Sequence, residues 1–293
     1  MKMRRVVVIG LVALASVAAA CDASTGNYLG QEPPGLTPVP FAPGILTAVS
    51  YAGTFSPDLT EFWFTEQGSR SGATETIGYT LVDEVWSRAA ATPFPSTGMT
   101  FEPHIAPSGN QMFFTAGTAA AWTAYVSQRT ATGWAPAMPL PTPVNSQGYM
   151  PMYLSSTLDR TLYWTLVIDG NGVIVRTKPA AGATGEPGGY GPVEYMASDG
   201  VPWVGAHPFV APDESYVIFD VRPVANPRWP SDLVVAFRRP DGTWTPPQPI
   251  TAVNGSATNE MCASVSPDGQ YLFFARNMHI WWVDAAVLDP LRP

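Results

Sequence analysis

The chain has 293 residues, of which 46% are apolar and only 13% are charged, and this composition excludes a chain that is disordered throughout. It has 15 basic and 23 acidic residues, for a formal net charge of −8. Because so acidic a protein repels phosphate backbones, and no basic run is present, nucleic acid is excluded as a partner. The 31 prolines and 26 glycines, with 10 tryptophans, 11 tyrosines and 13 phenylalanines, predict many short strands and tight turns.

Residues 1–20 have the pattern of an export signal. Basic residues open the chain, and an apolar stretch from Val6 to Ala20 follows that is too short to favour a membrane span. The small residues directly before Cys21 resemble a bacterial lipoprotein signal, which implies that Cys21 is lipidated and becomes the mature N-terminus. Ordinary cleavage after Ala20 is the alternative. We therefore expect an exported protein of the bacterial cell envelope, lipid-anchored to a membrane and facing the periplasm or the surface.

The segment after the signal is small, polar and rich in glycine and proline. It predicts a tether over residues 21–35 between the anchor and a folded domain at 36–293. Beyond the anchor, Cys262 is the only cysteine, so the domain cannot contain an internal disulfide. Its apolar neighbours predict that Cys262 is a buried, inert thiol.

One segment recurs five times in the predicted domain. Its clearest copies are Phe209–Asp213 followed by Tyr216–Phe219, and Ser264–Gly269 followed by Tyr271–Phe274. Proline, aspartate and glycine close a tight turn, and the aromatic and β-branched residues around them form strands. The copies start at residues 56, 106, 155, 211 and 266. A strand containing proline, which belongs at a sheet edge, recurs between the copies.

Each period therefore holds about four strands, which is the content of one blade of a β-propeller. The predicted fold is all-β, a single β-propeller of five four-stranded blades. The last period lacks an outer strand, and residues 36–46 have the composition to supply it. We expect this N-terminal strand to close the ring. Six blades are the alternative, if residues 165–200 contain a further degenerate unit.

These repeats resemble the TolB-like, or WD-like, propeller repeat family, in which Ser-Pro-Asp-Gly marks the first hairpin. Ser266-Pro267-Asp268-Gly269 carries the resemblance most fully, and it extends over residues 36–293. Ser108 replaces the turn aspartate in the second copy, and the third copy lacks the proline. The resemblance implies a periplasmic binding or scaffold protein, or a propeller of the kind that is attached to peptidases.

The common catalytic signatures are missing from the sequence. It has no Gly-x-Ser-x-Gly, no His-Glu-x-x-His, no Cys-x-x-Cys and no phosphate loop, so no catalytic residue, metal or cofactor is predicted. Asp58, Asp213 and Asp268 occupy the same place in their hairpins. That constant place predicts a structural role in capping the turn.

A candidate ligand site lies around the channel, near the face opposite the repeated turns. Glu102 and His207 fall on predicted inner strands near that face, and His104 follows Glu102 on the same side of its strand. Together they have the chemistry of a metal or acid–base site. Hydrogen-bonded polar groups lining a wet channel are the alternative.

A second candidate is a rim of arginines. Arg70, Arg222 and Arg276 follow the second strands of blades 1, 4 and 5, which adjoin in a closed ring of five. Forked hydrogen bonds from such a rim would hold a carboxylate or phosphate, and Arg228 with Trp229 would add a stacking platform for a sugar. Salt bridges within the loops, with Glu66 and Asp220, are the alternative, and arginine at this place is usual in the resembling family.

Two functions follow from these features. The first is an envelope-tethered, non-catalytic propeller that binds a protein, peptide or glycan. The alternative is a glycan-acting hydrolase of sialidase or glycosidase type, which needs two opposed carboxyl groups. Glu66, Glu102, Asp220 and Glu260 are the candidate carboxylates near the appropriate face. Partners are expected to be an envelope protein or glycan, and a membrane through the lipid on Cys21.

Overall fold

The computed structural model describes residues 26–68, 73–89, 93–94, 98–118, 121–146, 150–181, 189–222 and 230–293. In these residues it confirms the all-β, five-bladed propeller. The predicted signal and Cys21 lie outside them. Of the helices in the described part, none has the length and apolar character needed to cross a membrane.

The strands follow the chain order around the ring. β1 (Val39–Pro40) comes first and belongs to the last blade. Blade 1 contains β2 (Ser50–Phe55), β3 (Glu61–Gln67), β4 (Thr74–Val82) and β5 (Val85–Arg88). Blade 2 contains β6 (Met99–Ile105), β7 (Gln111–Thr118), β8 (Ala121–Thr130), β9 (Gly133–Trp134) and β10 (Met138–Pro139).

Blade 3 contains β11 (Met150–Ser156), β12 (Leu162–Ile168), β13 (Asn171–Thr177) and β14 (Glu194–Tyr195). A small hairpin of β15 (Ala197–Ser198) and β16 (Val201–Pro202) follows, where the alternative placed a sixth blade. Blade 4 contains β17 (Ala206–Val210), β18 (Tyr216–Val221), β19 (Asp232–Phe237) and β20 (Gln248–Pro249). Blade 5 contains β21 (Glu260–Val265), β22 (Tyr271–Arg276) and β23 (His279–Asp284). Two 3-10 helices, Tyr28–Gly30 and Ala285–Leu291, lie near the ends of the described chain.

The five first strands surround one axis. β2, β6, β11, β17 and β21 contact one another in this order, and β21 contacts β2. β1 pairs antiparallel with β23, with Val39 opposite Trp282 and Pro40 opposite Trp281. The predicted closure by the N-terminal strand is therefore confirmed. It covers the outer edge of blade 5, which would otherwise expose unpaired backbone groups.

Aromatic side chains fill the junction where the ring closes. Phe41 is 1% exposed and meets Phe62, Phe273 and Trp282 edge-on, at centroid distances of 5.0 to 5.3 Å. Such edge-to-face contacts add to the free energy of burying the rings. The N-terminal strand is thus held by packing as well as by backbone hydrogen bonds.

The second half of the predicted tether also contacts the propeller. Tyr28 and Leu29 are buried in the junction, and the Tyr28 hydroxyl donates a 2.6 Å hydrogen bond to Asp268 Oδ2. The indole nitrogen of Trp86 donates to the carbonyl of Gly26 at 2.7 Å. Because Tyr28 and Leu29 bring apolar surface that blades 1 and 5 can cover, the chain is packed from Gly26 onward.

Candidate functional site

The first strand of each blade carries a β-bulge, and the first residue of each bulge has a left-handed backbone. These residues are equivalent, since each lies five positions before the second residue of the following turn. Their φ angles lie between 49° and 59°, although none of them is glycine. We call this set the axial ring: Ala52, Glu102, Tyr153, His207 and Cys262. Five non-glycine residues in this conformation are a costly feature that the surrounding strands hold in place.

Three members of the axial ring bring unlike chemical groups together. A carboxylate oxygen of Glu102, an imidazole nitrogen of His207 and the sulfur of Cys262 all lie within 4.8 Å of one another. His207 Nε2 is 3.4 Å from Glu102 Oε1, while His207 Nδ1 is 2.6 Å from Asp220 Oδ1. All four side chains are 5% exposed or less. The ring thus concentrates polar groups on the axis, away from bulk water.

Backbone and side-chain bonds fix these groups. Glu102 Oε2 accepts the backbone N–H of Tyr153 at 2.7 Å, and the Tyr153 hydroxyl donates to the carbonyl of Ala263 at 2.5 Å. The Tyr153 ring meets the His207 ring edge-on at 5.5 Å. Asp220 Oδ1 also accepts the backbone N–H of Cys262, at 3.4 Å. Blades 2, 3, 4 and 5 are therefore linked through the axis.

Burial and neighbouring charge shift the pKa values here in opposite directions. Burial alone would lower the pKa of His207, but Asp220 and Cys262 together outweigh burial, and the pKa is raised well above the ordinary value. Burial raises the pKa of the Cys262 thiol to about 12, although His207 opposes the rise. The imidazole therefore carries a proton on both nitrogens, and the thiol is protonated at neutral pH.

His104 lies away from this cluster. Its Nε2 accepts the backbone N–H of Ser156 at 3.0 Å, and burial lowers its pKa to about 3. The bulge at Glu102 interrupts the alternation of side chains along β6, so residues two apart no longer share a side. The structure thus brings Glu102 and His207 together and places His104 towards the face that carries the turns.

That face contains a hollow on the propeller axis, of about 270 Å³. Its rim is made by the second residue of each repeated turn: Pro57, Pro107, Leu158, Pro212 and Pro267. Phe55, Phe209 and Phe273 contribute to its walls. Thr54, His104 and Ser264 are among its few polar side chains. This axial hollow is a largely apolar depression with five-fold similarity at its mouth.

The turn aspartates hold the rim from within each hairpin. Asp58 accepts hydrogen bonds from Ser56 and Thr60, Asp213 accepts the N–H of Ser215, and Asp268 accepts from Ser266. Asp159 does the same for the third turn, which the structure places at Thr157-Leu158-Asp159, two residues beyond the start inferred from the repeats. These carboxylates lie at separate turns and do not converge on the axis.

The arginine rim is described only in part. Arg276 donates to Glu260 Oε1 at 2.8 Å and lies 4.7 Å from the Trp281 ring, so it is held inside blade 5. Arg222 is exposed at the end of β18. Arg70, Arg228 and Trp229 fall outside the described residues. Asp220, which the salt-bridge alternative assigned to the loops, contacts His207 instead.

Cys262 and Asp220 are the site residues that the sequence reasoning did not assign to the cluster. A signal for Cys262 was present, because it occupies the same place in its repeat as Glu102 and His207. Asp220 follows Phe219 where the first three repeats have threonine, at Thr65, Thr115 and Thr165. The positions of Cys262 and Asp220 become informative only when the five repeats are aligned on their turns.

The fold and the axial ring define the protein as a five-bladed β-propeller with a buried polar centre. No protein-family model matches the sequence, and no curated protein matches it. Solved structures do match. An endo-arabinase from Bacteroides thetaiotaomicron is similar with a TM-score of 0.52 and 15% identity, over 86% of this chain and 97% of that one.

Two other solved structures illustrate the range of proteins with a similar fold. TolB from Acinetobacter baumannii has 13% identity and a TM-score of 0.48, and the match covers 80% of this chain. This chain spans about half of that TolB, 53% of its length. A gluconolactonase from Xanthomonas campestris has 12% identity and a TM-score of 0.48, over 80% of this chain and 85% of that one. At these identities the similarity concerns the fold alone.

Proposed function

We propose that this propeller is a non-catalytic binding protein that takes a peptide segment of a partner protein into the axial hollow. The observation that carries the proposal is the rim of the hollow, where four prolines and Leu158 occupy five equivalent turns. A volume of about 270 Å³ suits one or two apolar side chains of an extended segment, and it lies at the small end of ligand pockets.

The chemistry of the lining favours a peptide over a glycan. Transfer of apolar side chains from water onto proline and phenylalanine surfaces stabilises a complex by about 25 cal/mol for each Å² buried. Sugar hydroxyls instead need hydrogen-bonding partners, and few line the hollow. His104, with its lowered pKa, is neutral at physiological pH and brings no charge to the hollow. An apolar side chain of a protein partner is therefore the best match.

The cellular setting in this proposal comes from the sequence. Residues 1–20 direct export, and Cys21 anchors the protein to a membrane of the cell envelope. The partner is then an envelope protein. Because the chain packs on the propeller from Gly26 onward, only residues 22–25 separate the lipidated cysteine from the packed chain. Such a short tether holds the propeller close to the membrane surface.

A glycan-acting hydrolase is the second candidate, since the five-bladed fold is shared with an endo-arabinase. Such an enzyme needs room for a glycosidic bond between its two carboxyl groups. Glu102 and Asp220 both contact the His207 ring, which fills the space between them. Glu260 is fully buried and paired with Arg276. These contacts favour the binding proposal over hydrolysis.

The test uses two equally exposed apolar residues. A phage-displayed peptide library is selected on the purified protein, and binding of the selected peptides is measured on Leu158→Arg and Val82→Arg. Each parent side chain is 61% exposed, but only Leu158 lies on the rim. Leu158→Arg is expected to weaken binding at least tenfold, about 1.4 kcal/mol, and Val82→Arg to leave it unchanged. Peptides that bind both variants equally, or a failed selection, would contradict the proposal.

The purified protein is also used to test the second candidate, a glycan-acting hydrolase. Incubation with arabinan, other plant polysaccharides and sialylated glycans is expected to release no sugar. Release that disappears in Glu102→Gln would establish the hydrolase instead.

A further inference from the structure

We propose that the axial ring is a zinc site in which Glu102 Oε1, His207 Nε2 and Cys262 Sγ are the ligands. The proposal is independent of peptide binding, since the axial hollow is lined by other residues on the side of the turns. It concerns residues that the sequence reasoning divided between a channel cluster and an inert thiol.

The types of donor atom fit zinc. Thiolate, imidazole and carboxylate are the three side-chain groups that bind Zn²⁺ in proteins, and their ligand atoms here converge to within 4.8 Å. Calcium and magnesium require oxygen ligands throughout, so a sulfur and a nitrogen disfavour them. The set therefore selects a borderline-soft divalent ion. Three protein ligands leave the fourth tetrahedral position to a ligand from outside the chain.

The spacing of Glu102 and His207 fits the same ion. Two ligand atoms about 2.1 Å from a tetrahedral zinc lie about 3.4 Å apart. His207 Nε2 and Glu102 Oε1 are 3.4 Å apart, which is longer than a good hydrogen bond between nitrogen and oxygen. Glu102 Oε2, in contrast, has a close partner in the N–H of Tyr153. One oxygen of a carboxylate that is only 3% exposed thus faces the cluster, at 3.4 Å from His207 Nε2.

The surroundings of His207 are those of a metal ligand. A zinc-binding histidine donates its second ring N–H to a carboxylate, which fixes the orientation of the ring. Asp220 Oδ1 does this for His207 Nδ1 at 2.6 Å and leaves Nε2 directed at Glu102. The Tyr153 ring packs edge-on against the imidazole. The ring orientation is therefore set before any ion binds.

The scaffold fixes the ligands on three separate blades. Each ligand is the first residue of a bulge in a buried inner strand, and its left-handed backbone is held by the strands on both sides. Ligands on rigid strands hold their geometry better than ligands on loops. Binding releases the thiol proton of Cys262, and the Nε2 proton of His207, to solvent. The thiolate and neutral imidazole so formed are the species that coordinate zinc.

The test uses the full chain carrying Cys21→Ser, so that Cys262 is its only thiol. After chelation, the protein is titrated with ZnCl₂ and separately with CoCl₂, and bound metal is counted. We expect one ion per chain and, with cobalt, a near-ultraviolet charge-transfer band from the thiolate. Absence of that band, or no stoichiometric binding, overturns the proposal. This test does not depend on a mutation in the cluster, because Glu102, His207 and Cys262 are all unchanged in this protein.

Two further variants locate the ligands. Cys262→Ala in the same background is expected to lose the charge-transfer band and to bind Zn²⁺ at least 100-fold more weakly. His279→Ala removes an exposed histidine on β23, a strand that holds no residue of the axial ring, and is the matched control, expected to bind as the parent does. Equal affinity in the parent and Cys262→Ala overturns the assignment. Circular dichroism and thermal melting establish that each variant is folded, and where Cys262→Ala is not, the cobalt spectrum of the parent decides.

Discussion

His207 and Asp220 face each other on the first two strands of blade 4, with 2.6 Å between Nδ1 and Oδ1 and with both side chains nearly fully buried. Asp220 is opposite Ala206 in the strand register, and the bulge begins at the next residue. The left-handed backbone of His207, with φ of 52°, thus directs the imidazole both at Asp220 and at the axis. One local irregularity couples blade 4 to the centre of the propeller.

Removing the carboxylate should destabilise the fold. Asp220→Ala leaves a buried imidazole without its acceptor, and breaking a buried ion pair costs about 3–5 kcal/mol. Urea denaturation at pH 7 measures the loss in the free energy of unfolding. The control is Asp199→Ala, since Asp199 is 58% exposed in its pair with Arg239 and such pairs contribute at most about 1 kcal/mol. Equal costs for the two variants would show that the His207–Asp220 contact is not a structural link.

The packing of the segment before β1 can be tested at a single hydroxyl. Tyr28→Phe keeps the buried ring and removes only the 2.6 Å hydrogen bond to Asp268. The expected cost is about 1 kcal/mol, the usual net contribution of one such bond. Tyr195→Phe, at a tyrosine that is 58% exposed, is the control and should be neutral. A neutral Tyr28→Phe in thermal melting would mean that residues 26–30 are detached in solution.

Acid should weaken the first turn through Asp58. Burial raises the pKa of Asp58, but hydrogen bonds from Ser56 and Thr60 outweigh burial and hold the pKa below its ordinary value. A carboxyl with a depressed folded-state pKa stabilises the protein above its unfolded-state pKa of about 3.9, and the gain is lost as the pH falls through the folded value. The difference in Tm between the parent and Asp58→Asn should therefore be constant from pH 7 to about 5 and shrink below about 4.

The control for the pH dependence of the Tm difference is a substitution that involves no titratable group. Val82→Ala removes apolar contact at an exposed strand end, so its Tm difference should not depend on pH in this way. A difference for Asp58→Asn that persists unchanged at low pH would assign the role of Asp58 to shape and not to charge.

Much of the fold follows from the sequence because residues close together in the chain determine the turns and strands of each blade. Proline, aspartate and glycine mark each turn, and aromatic residues mark the strands on either side, as at Ser266–Gly269 and Tyr271–Phe274. Ring closure follows from the missing outer strand of blade 5. The packing of Tyr28 does not follow, since a short polar stretch gives no sign of which surface it will cover.

Only part of the axial ring and its contacts could be predicted from the sequence. Glu102 and His207 are charged or polar residues in apolar strands, and the structure brings them together. The expected position of His104 assumed regular alternation along β6, and a bulge that leaves no composition signal removes that alternation. Cys262 was judged by its neighbours in the chain, whereas Glu102 and His207, which lie beside it on the axis, come from other blades. Contacts across the axis depend on the closed ring and not on local sequence.

Gly78 and Trp63 pack against each other on neighbouring strands of blade 1. Gly78 on β4 lies opposite Trp63 on β3, and a Cβ at Gly78 would be 2.6 Å from the indole ring. Trp63 is 1% exposed and its indole nitrogen is bound to Glu61, so the ring has no free space to enter. Gly78→Ala should therefore cost about 1–3 kcal/mol in urea denaturation, as overpacked cores do. Gly44→Ala, where a Cβ meets nothing within 4 Å, should change stability by less than about 0.5 kcal/mol. If both glycines tolerate alanine equally, the contact between β3 and β4 is looser than this geometry requires.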